Sequence, residues 1–542
     1  MKQYSVNFNK KSRLFKTPEL QTTTLAKIAS LDHATLKERL AGLLQIQNDF
    51  FPCFDWTFPP PILSKLPAPA SVAALFSEPA IMPERYSLYL HSPFCKTLCS
   101  FCYYTVMPGN GINESATYVD YLVREMAMYA ETLKGSVCES IYFGGGTPTY
   151  LDDTLLTKLF EGIHRHFDVA EDAEISIEAA PGTLPRSKVQ LLKEIGVNRL
   201  SYGIQTLDAA LLATMNRHYS VPEAMQELEG AIELIGNVNV DTMYGFDGEP
   251  EHALFDTLDT FCKLGVPSMS IYSLDKQRNQ PKHTLEPPKD NQYETKIGQF
   301  QRAEAFLKER GYAPVLQNVF AIPDKASYKH QVRRWDNLTL VSLGVAAQGY
   351  APKTPYQNTA SLKTYYRCID EGRPPIATID RLTPEMELCR ELTSKLRFTQ
   401  VDLGEMREKY GVDIDAVFQH LIEALTELGH LEKEGDVIRL SKKAAYYNNI
   451  IPMLFAPDDF KEKMMGLPEE YIELFPVPFI VTRLGKAQSA PFFHRQDFAG
   501  SLTDAVLQSR RMSVERRRET LPWNPVLERR LGNDRRYSAA IA

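Results

Sequence analysis

The feature that most limits the fold of this chain is a regular alternation of β-rich and helical segments that begins at Tyr86. The β-rich runs are Tyr86–His91, Ser140–Phe143, Glu174–Glu178, Arg199–Gly203, Val238–Met243 and Met269–Ser273. Helical patterns fill the gaps at Ser115–Lys134, Asp153–Phe167, Arg186–Ile195, Pro222–Leu234, His252–Leu264 and Tyr293–Arg310. Such strand–helix units predict an α/β fold with a parallel sheet and right-handed crossovers. We expect the six units to form an incomplete (β/α)6 barrel whose active site lies at the C-terminal ends of the strands.

The 542 residues divide into five predicted segments. They are an N-terminal extension with a proline-rich connector at 1–85, the barrel core at 86–315, a barrel-flanking region at 316–382, a helical, winged-helix-like α+β domain at 383–448, and a C-terminal extension with an arginine-rich, flexible tail at 449–542. The fourth segment combines helical patterns at Pro384–Leu396 and Asp413–Leu428 with a hairpin pattern at Leu431–Leu440. It has no marked basic excess, so we expect it to pack against the barrel rather than bind nucleic acid.

Arginines crowd the end of the chain, at Arg510, Arg511, Arg516, Arg517, Arg518, Arg529, Arg530, Arg535 and Arg536. A solvated basic tail explains this cluster, and an electrostatic patch for an acidic partner protein or RNA is the alternative. At the second helical pattern of the barrel, Asp152 and Asp153 are candidate N-caps.

Composition is typical of a soluble protein from a reducing compartment. Hydrophobic residues make up 44% and charged residues 24% of the chain, and a net charge of −7 does not indicate nucleic-acid binding. The N-terminus has no apolar signal segment, and no apolar run is long enough to span a membrane. Scattered cysteines occur at Cys53, Cys138, Cys262, Cys368 and Cys389. They do not form a disulfide framework, so we predict a cytoplasmic location.

The remaining cysteines, Cys95, Cys99 and Cys102, have the spacing C-x3-C-x2-C. They place three thiolates on one loop directly after the first predicted strand. A structural zinc site or a closed iron–sulfur cluster takes four ligands. Three thiolates leave one iron of a [4Fe–4S] cluster open for a small chelating molecule. Ordinary reduced cysteines or a partial zinc site are the alternatives.

A glycine run, Gly144-Gly-Gly-Thr-Pro148, directly follows the second predicted strand. Glycines let the backbone approach a ligand closely and free its N–H and C=O groups for hydrogen bonds. A tight turn between strand and helix explains the same run. Because both segments follow parallel strands, we expect the cysteine loop and the glycine run to share one edge of the sheet.

The cysteine segment, His91-Ser-Pro-Phe-Cys-Lys-Thr-Leu-Cys-Ser-Phe-Cys102, resembles the signature of the radical S-adenosylmethionine (SAM) superfamily. The resemblance implies that SAM occupies the open iron and is cleaved on reduction to methionine and a 5′-deoxyadenosyl radical. Over residues 86–445 the chain is similar to the oxygen-independent coproporphyrinogen III oxidase family, which includes the oxidase, heme chaperones and heme-degrading relatives and shares its core with class C methyltransferases. The motifs that carry this similarity are Tyr89-Leu-His-Ser-Pro-Phe-Cys95, Phe143-Gly-Gly-Gly-Thr-Pro-Thr149, Ser176-Ile-Glu178, Leu200-Ser-Tyr-Gly-Ile-Gln205, Met215-Asn-Arg217 and Asn239-Val-Asp241-Thr-Met-Tyr-Gly245.

The family resemblance implies roles for individual residues. The implied contacts to the first SAM come from Tyr89, Gly145, Gly146, Thr147 and Glu178. Positions that hold a second SAM in the oxidase match Gln205, Arg217 and Asp241. Phe101 would shield the cluster and contact the second SAM. The alternatives are a strand-end ion pair between Arg217 and Asp241 and simple packing of Phe101. Two SAM molecules bind if the implied roles hold, and one binds if the alternatives hold.

Two positions depart from the family pattern. The oxidase has a further cysteine two residues after the triplet, where this chain has Tyr104. The heme chaperones carry His-Asn-x-x-Tyr-Trp, and the nearest match here is His330-Gln-Val-Arg-Arg-Trp335. A histidine can be an axial heme ligand. Because half the motif is missing, a structural or substrate-contacting role for His330 is favoured over heme ligation.

The resemblance implies a radical SAM oxidoreductase similar to coproporphyrinogen dehydrogenase. Its cluster would take one electron from a flavodoxin- or ferredoxin-type donor, and the resulting radical would act on propionate groups of a small-molecule substrate, a tetrapyrrole of porphyrin or heme metabolism. A class C methyltransferase with two SAM molecules and a heme-binding, chaperone-like protein are the alternatives. An iron–sulfur protein without SAM leaves the glycine, Glu178 and Gln205 motifs unexplained.

Overall fold

The structure is a computed structural model that describes residues 66–76, 82–102, 104–246, 248–274, 292–316, 318–335, 338–382, 384–397, 400–411, 413–441, 444 and 451–455. Most of the predicted N-terminal extension and the arginine-rich tail lie outside the described residues. The chain falls into two compact units, one within Trp56–Tyr312 and Asn318–Arg381 and the other within Ala313–Gln317 and Leu382–Ala542.

The strands are β1 Arg85–Ser92, β2 Phe94–Cys95, β3 Met107–Pro108, β4 Val137–Gly145, β5 Asp168–Ala179, β6 Arg199–Gln205, β7 Val238–Tyr244, β8 Ser268–Ser273, β9 Ala313–Leu316, β10 Val319–Ala321, β11 Leu340–Leu343, β12 Gln348–Ala351, β13 Thr354–Asn358, β14 Ile376–Ile379, β15 Gln400–Asp402, β16 Leu431–Glu434 and β17 Val437–Leu440. The α-helices are α1 Ser115–Ala130, α2 Asp153–His166, α3 Arg186–Glu194, α4 Ala209–Thr214, α5 Val221–Ile235, α6 Ala253–Leu264, α7 Gln292–Glu309, α8 Lys329–Trp335, α9 Leu362–Asp370, α10 Pro384–Arg397, α11 Leu403–Tyr410, α12 Ile414–Val417 and α13 Gln419–Glu427.

The first unit contains the predicted parallel sheet. Strands β1, β4, β5, β6, β7 and β8 follow one another in this order, and each pairs in parallel with the next. Helices α1, α2, α3, α5, α6 and α7 match the six predicted helical segments, with ends that differ by a few residues. The α/β fold and the six strand–helix units are therefore confirmed.

Apolar burial and helix capping account for the strands and helices of this sheet. On the outer face of the sheet, apolar residues such as Leu88, Ile141 and Ile177 are completely buried in the main hydrophobic core. The predicted N-cap of α2 is confirmed, because the Asp152 carboxylate accepts a hydrogen bond of 2.8 Å from the Leu155 amide. A cap of this kind satisfies one of the free N–H groups at a helix start.

The sheet is larger than the sequence pattern predicts. Strand β11 pairs in parallel with the free side of β1, and β12, β13 and β14 extend that side by antiparallel pairing. On the other side β10 pairs antiparallel with β8. These strands have three to five residues each, and runs that short give little periodicity from which to predict them. The result is a mixed sheet in which β1 is an internal strand.

The second unit has four described helices, α10–α13, and a three-stranded antiparallel sheet in the order β15-β17-β16. The predicted hairpin is confirmed as β16 and β17. The predicted helix Asp413–Leu428 is divided into α12 and α13 at Phe418, whose φ of −104° and ψ of 18° depart from helical geometry. Helix α11, which the sequence analysis did not identify, begins at its N-cap Asp402 and ends at Gly411 in a left-handed conformation. Nowhere in the described residues does a helix have the length and apolar character that crossing a membrane requires.

Candidate functional site

Polar side chains line the inner face of the parallel sheet. Register pairs place Tyr89, Tyr142, Ser176 and Arg199 side by side across β1, β4, β5 and β6. A second row, two residues further along the strands, contains Glu178, Ser201 and Asn239. Residues paired in register point to the same face of a sheet, and the apolar residues that alternate with them point to the helices. The barrel interior is therefore polar toward the C-terminal ends of its strands.

The cysteine loop lies at this edge, directly after β1. Cys95, Cys99 and Cys102 are free thiols and half-buried. Burial raises the pKa of the Cys95 thiol to about 12, against the lowering effect of the Thr147 hydrogen bond, and the nearby Cys99 thiol also raises it. Burial likewise raises the pKa of Cys102, which also senses Cys95 and Cys99. The three thiols therefore lie close enough to interact, and Cys95 and Cys102 resist ionisation unless positive charge is supplied.

The glycine run is hydrogen-bonded to the cysteine loop. The Gly146 amide donates to Ser92 O at 2.6 Å, and the Thr147 amide donates to Phe94 O at 2.8 Å. The Thr147 hydroxyl donates to Cys95 Sγ at 3.7 Å. A Cβ atom on Gly146 would lie 2.9 Å from Cys95 Sγ and 2.7 Å from Phe94 O. Only glycine allows this approach, so the prediction that the two segments share one edge is confirmed.

Glu178 connects the glycine run to the polar interior. Its Oε2 accepts a hydrogen bond of 2.9 Å from the Gly145 amide, and its Oε1 accepts one of 2.7 Å from the Tyr142 hydroxyl. Burial raises the pKa of this carboxyl group to about 7, against the lowering effect of the Tyr142 hydrogen bond. Glu178 is therefore an acceptor of hydroxyl hydrogen bonds whose charge changes near neutral pH.

Tyr89 and His91 form the β1 side of the site. His91 Nε2 lies 3.0 Å from the carbonyl oxygen of Thr105, which requires a proton on Nε2, so Nδ1 accepts from the Tyr89 hydroxyl at 3.1 Å. Burial lowers the pKa of His91 to about 4, so the ring is neutral at physiological pH. The Tyr89 ring stacks on Tyr142, with centroids 6.2 Å apart and planes inclined by 18°.

The residues implied to hold a second SAM lie on the β6–β7 side. Gln205 ends β6 with a φ of 77° and is only 9% exposed. Arg217 Nη1 donates to Cys99 Sγ at 3.3 Å, and Nη2 donates to Gly203 O. Asp241 accepts from Asn239 Nδ2 at 2.8 Å and from the Ser201 hydroxyl at 3.3 Å. Among the described residues no ion pair joins Arg217 to Asp241, so the structure does not support that alternative.

Phe101 packs against a small apolar cluster beside the cysteine loop. The cluster consists of Leu211, Met215, Met243, Phe246, Ala253 and Leu274. Tyr104, at the position where the oxidase has a further cysteine, is 41% exposed. Apolar side chains around Phe101 and the exposed ring of Tyr104 therefore lie beside the cysteine loop.

His330 lies apart from the cysteine loop, at the start of α8. Its side chain is 1% exposed, its Nδ1 is 3.1 Å from the Ser140 hydroxyl, and its ring centroid is 5.2 Å from that of Tyr142. The Glu174 carboxylate accepts the His330 and Lys329 backbone amides and caps the helix. In this position His330 fills the barrel interior, which supports a structural role.

The sequence analysis missed several inner-face residues. Tyr142, Asn239 and Tyr272 were not predicted, although Tyr142 bonds to Glu178 and Asn239 bonds to Asp241. Tyr272 is 44% exposed on β8 although the four preceding residues of the strand are buried. The available signal was a polar residue at every second position of strands whose other residues are mostly apolar.

Comparisons with known proteins agree with this geometry. A family model described as Radical SAM superfamily matches residues 89–261. The chain is 28% identical to the heme chaperone HemW of Bacillus subtilis over 375 residues, which cover 67% of this chain and 97% of the relative. It is 30% identical to the heme chaperone HemW of Buchnera aphidicola over 269 residues, which cover 48% of this chain and 69% of the relative. Its fold is similar to that of coproporphyrinogen III oxidase (HemN) from Escherichia coli, with a TM-score of 0.64 and 25% identity over 71% of this chain and 93% of that one.

The cysteine triplet, the glycine run that contacts it and the polar edge of the parallel sheet occur together within the region that the family model matches. The similarity to HemW and HemN extends beyond that region to most of the length of each relative. The chain belongs to the radical SAM superfamily, in the family that contains oxygen-independent coproporphyrinogen III oxidases and HemW heme chaperones.

Proposed function

We propose that this protein is a radical SAM enzyme that acts on a tetrapyrrole. The observation that carries the proposal is the direct contact between the cysteine loop and the glycine run, with Glu178 hydrogen-bonded to Gly145 beside them. The relatives that give the substrate class are named for coproporphyrinogen III and for heme, two tetrapyrroles. We extend that class, and no particular compound, to this chain.

The residues present fit a [4Fe–4S] cluster and SAM. Burial raises the pKa of the Cys95 and Cys102 thiols, so these two need the positive charge of iron to ionise. Together with Cys99 they supply three thiolates for such a cluster. Among the residues that the structure describes, no group of three or more His, Cys, Asp or Glu side chains is placed to hold a single metal ion. We therefore assign Cys95, Cys99 and Cys102 to the cluster.

When bound, the cluster supplies the electron that cleaves SAM into methionine and a 5′-deoxyadenosyl radical. The chain's own residues hold the reactants. Gly145, Gly146 and Thr147 present backbone and hydroxyl groups next to Cys95, and ionised Glu178 accepts hydrogen bonds from hydroxyls such as those of a ribose. Phe101 and its apolar neighbours exclude water from one side of the cysteine loop. The cofactor brings the reactivity, and the protein brings binding and orientation.

For the substrate we propose oxidative decarboxylation of a propionate side chain. The 5′-deoxyadenosyl radical would take one hydrogen atom from the propionate chain and become 5′-deoxyadenosine. Loss of carbon dioxide would then leave a vinyl group and release one electron to an external one-electron carrier of the flavodoxin or ferredoxin type. The electron for SAM cleavage would come from a flavodoxin- or ferredoxin-type donor in the cytoplasm. Tyr104 stands where the oxidase has its further cysteine, so the substrate need not be coproporphyrinogen III itself.

The test is anaerobic reconstitution of the full chain followed by mass analysis of SAM products, with coproporphyrinogen III present and absent. We expect 5′-deoxyadenosine in both cases, increased by the porphyrinogen together with carbon dioxide. The Cys99→Ser variant should lose both products, whereas Arg186→Gln, which alters an exposed ion pair with Glu233 on the outer helices, should not. S-adenosylhomocysteine as a product would favour methyl transfer, and an intact cluster without any SAM cleavage would contradict the proposal.

Heme carriage is the second candidate, because the HemW relative of Bacillus subtilis aligns over 97% of its length. Titration of the full chain with hemin tests it through a stable Soret band. The burial of His330 against Ser140 and Tyr142 argues against this residue as the heme ligand. We expect any Soret band to survive in His330→Ala, and loss of the band in a variant with native circular dichroism would restore His330 as the ligand.

A further inference from the structure

The turn after α4, residues Thr214–Arg217, contacts the cysteine loop at four points. The hydrogen bonds, donor first, are Ser100 N to Met215 O at 3.0 Å, Ser100 Oγ to Thr214 O at 3.1 Å, Asn216 Nδ2 to Leu98 O at 2.7 Å and Arg217 Nη1 to Cys99 Sγ at 3.3 Å. Two of the four hold the backbone of the loop, and a third holds the Ser100 side chain. The fourth reaches one of the three cluster-binding sulfurs directly.

The backbone of Asn216 makes this arrangement possible. Its φ of 55° lies in the left-handed region, which asparagine tolerates better than most residues. This conformation turns the Asn216 amide toward Leu98 and the following side chain, Arg217, toward Cys99. Contacts to the cysteine loop therefore explain the Met215-Asn-Arg217 motif without any contact to SAM.

Two of the three guanidinium nitrogens of Arg217 donate hydrogen bonds to other residues of the protein. Nη1 donates to Cys99 Sγ and Nη2 to Gly203 O, while the buried Nε has no partner among the described residues. Within the described part of the chain, Arg217 forms no ion pair with a carboxylate. Its positive charge is therefore directed at the sulfur of Cys99, which becomes negative when it binds iron.

We propose that Arg217 raises the reduction potential of the cluster through its hydrogen bond to Cys99. The reduced cluster carries one more negative charge than the oxidised cluster, so a cation at 3.3 Å from a ligand sulfur stabilises the reduced form more. Hydrogen bonds to the sulfurs and local charge are known to set the potentials of iron–sulfur clusters. Reduction adds one electron to the cluster from an external reductant, and no other group is transferred.

This inference rests on the cluster and not on the tetrapyrrole substrate. It also differs from the role at a second SAM that the family resemblance implies for Arg217. The bonds to Cys99 and Gly203 use two of the five N–H groups of the guanidinium, so three N–H groups are left for a ligand. Arg217 is therefore a positioning and redox-tuning residue, whether or not a second SAM binds.

The test is a redox titration of the reconstituted full chain, followed by electron paramagnetic resonance and carried out without SAM. We expect Arg217→Gln to lower the midpoint potential so that reduction becomes at least tenfold less favourable, about 59 mV for one electron. Arg217→Lys, which keeps the charge, should lie between this variant and the unsubstituted protein. The matched control Arg186→Gln should not differ from the unsubstituted protein. Equal potentials for Arg217→Gln and the unsubstituted protein would overturn the proposal.

A second measurement does not depend on any variant retaining its cluster. The unsubstituted protein is labelled with ¹⁵N-arginine, and pulsed electron paramagnetic resonance is recorded on the reduced cluster. We expect a ¹⁵N hyperfine coupling from a hydrogen-bonded guanidinium, and its absence would also overturn the proposal. Neither measurement requires SAM cleavage or substrate, so failure here is distinct from failure of the proposed enzyme activity.

Discussion

Tyr142 donates a hydrogen bond of 2.7 Å to Glu178 across the neighbouring strands β4 and β5. The other oxygen of the same carboxylate accepts the Gly145 amide at 2.9 Å. A Cβ atom on Gly144 would come within 3.0 Å of the Glu178 carboxyl carbon. One carboxylate therefore joins the glycine run to the polar interior, and both of its contacts favour the ionised form.

We predict that Tyr142→Phe weakens SAM binding. Loss of a hydrogen bond to a charged group costs about 1.5–3 kcal/mol, and the pKa of Glu178 should rise above its value of about 7. Because the ionised carboxylate is the better acceptor, SAM affinity should increase as the pH rises through 7, and the variant should shift this increase to higher pH. Equilibrium titration with SAM over a pH series measures both effects.

Tyr121→Phe is the matched control for this measurement. Its hydroxyl also donates to a carboxylate, that of Asp370, but on the outer helix α1. SAM affinity should be unchanged in this variant. If the two variants bind SAM equally well, the Tyr142–Glu178 bond does not contribute to the SAM site.

A second buried carboxylate should make the stability of the protein pH-dependent. Glu125 is completely buried and accepts hydrogen bonds from Gly344 N, Asn358 Nδ2 and the Tyr365 hydroxyl, at 2.8, 2.9 and 2.6 Å. Burial raises its pKa from 4.5 to about 7. Since the native state binds this proton more tightly than the unfolded chain, the stabilisation is full below pH 4.5 and is lost as the pH rises to about 7.

The corresponding free energy is about 3 kcal/mol, from the difference between the two pKa values of Glu125. Denaturant unfolding between pH 5 and 7.5 should show a smaller decrease in stability for Glu125→Gln than for the unsubstituted protein. Glu161→Gln, an exposed position on α2, is the control and should keep the original pH dependence. An unchanged pH dependence in Glu125→Gln would mean that this carboxyl group titrates normally.

We predict that Gly146→Ala loses the cluster but keeps the fold. The new Cβ would lie 2.9 Å from Cys95 Sγ and 2.7 Å from Phe94 O, both in the segment that holds the first thiol. Iron and sulfide analysis after reconstitution should show a large loss, with native circular dichroism. Gly298→Ala in α7 is the control, since a methyl group there would meet no atom within 4 Å, and alanine should be neutral or stabilising by up to about 1 kcal/mol. Normal iron content in Gly146→Ala would show that the contact is not required.

Tyr272 should contribute to substrate binding rather than to SAM cleavage. Its ring is 44% exposed on the inner side of β8. Stacking of an aromatic substrate on an exposed ring contributes about 0.5–1.5 kcal/mol. Tyr272→Ala should therefore raise KM for the tetrapyrrole up to about tenfold, whereas Tyr272→Phe should retain most of the affinity. An equal effect on substrate-independent SAM cleavage would place Tyr272 at the SAM site instead.

The sequence was sufficient for the features that depend on local pattern. Six strand–helix units, the N-cap Asp152 and the hairpin β16–β17 follow from apolar periodicity and turn residues over short stretches of chain. The common edge of the cysteine loop and the glycine run follows from the rule that parallel strands end on the same side. The strands of residues 316–382 were not predicted, because β11 forms next to β1 through pairing with residues some 250 positions away, for example Leu340 with Ser87.

By itself the sequence determined the superfamily, because the C-x3-C-x2-C segment and the glycine run are local features that resemble the signature motifs of that superfamily. Only the tertiary structure decided how the charged residues are used. In the structure Arg217 donates a hydrogen bond to Cys99, Asp241 accepts one from Asn239, and the His330 side chain is buried against Ser140. The physical reason is that hydrogen-bond partners and burial depend on strand register and on turn conformation, here the left-handed Asn216, and neither is encoded in residue spacing.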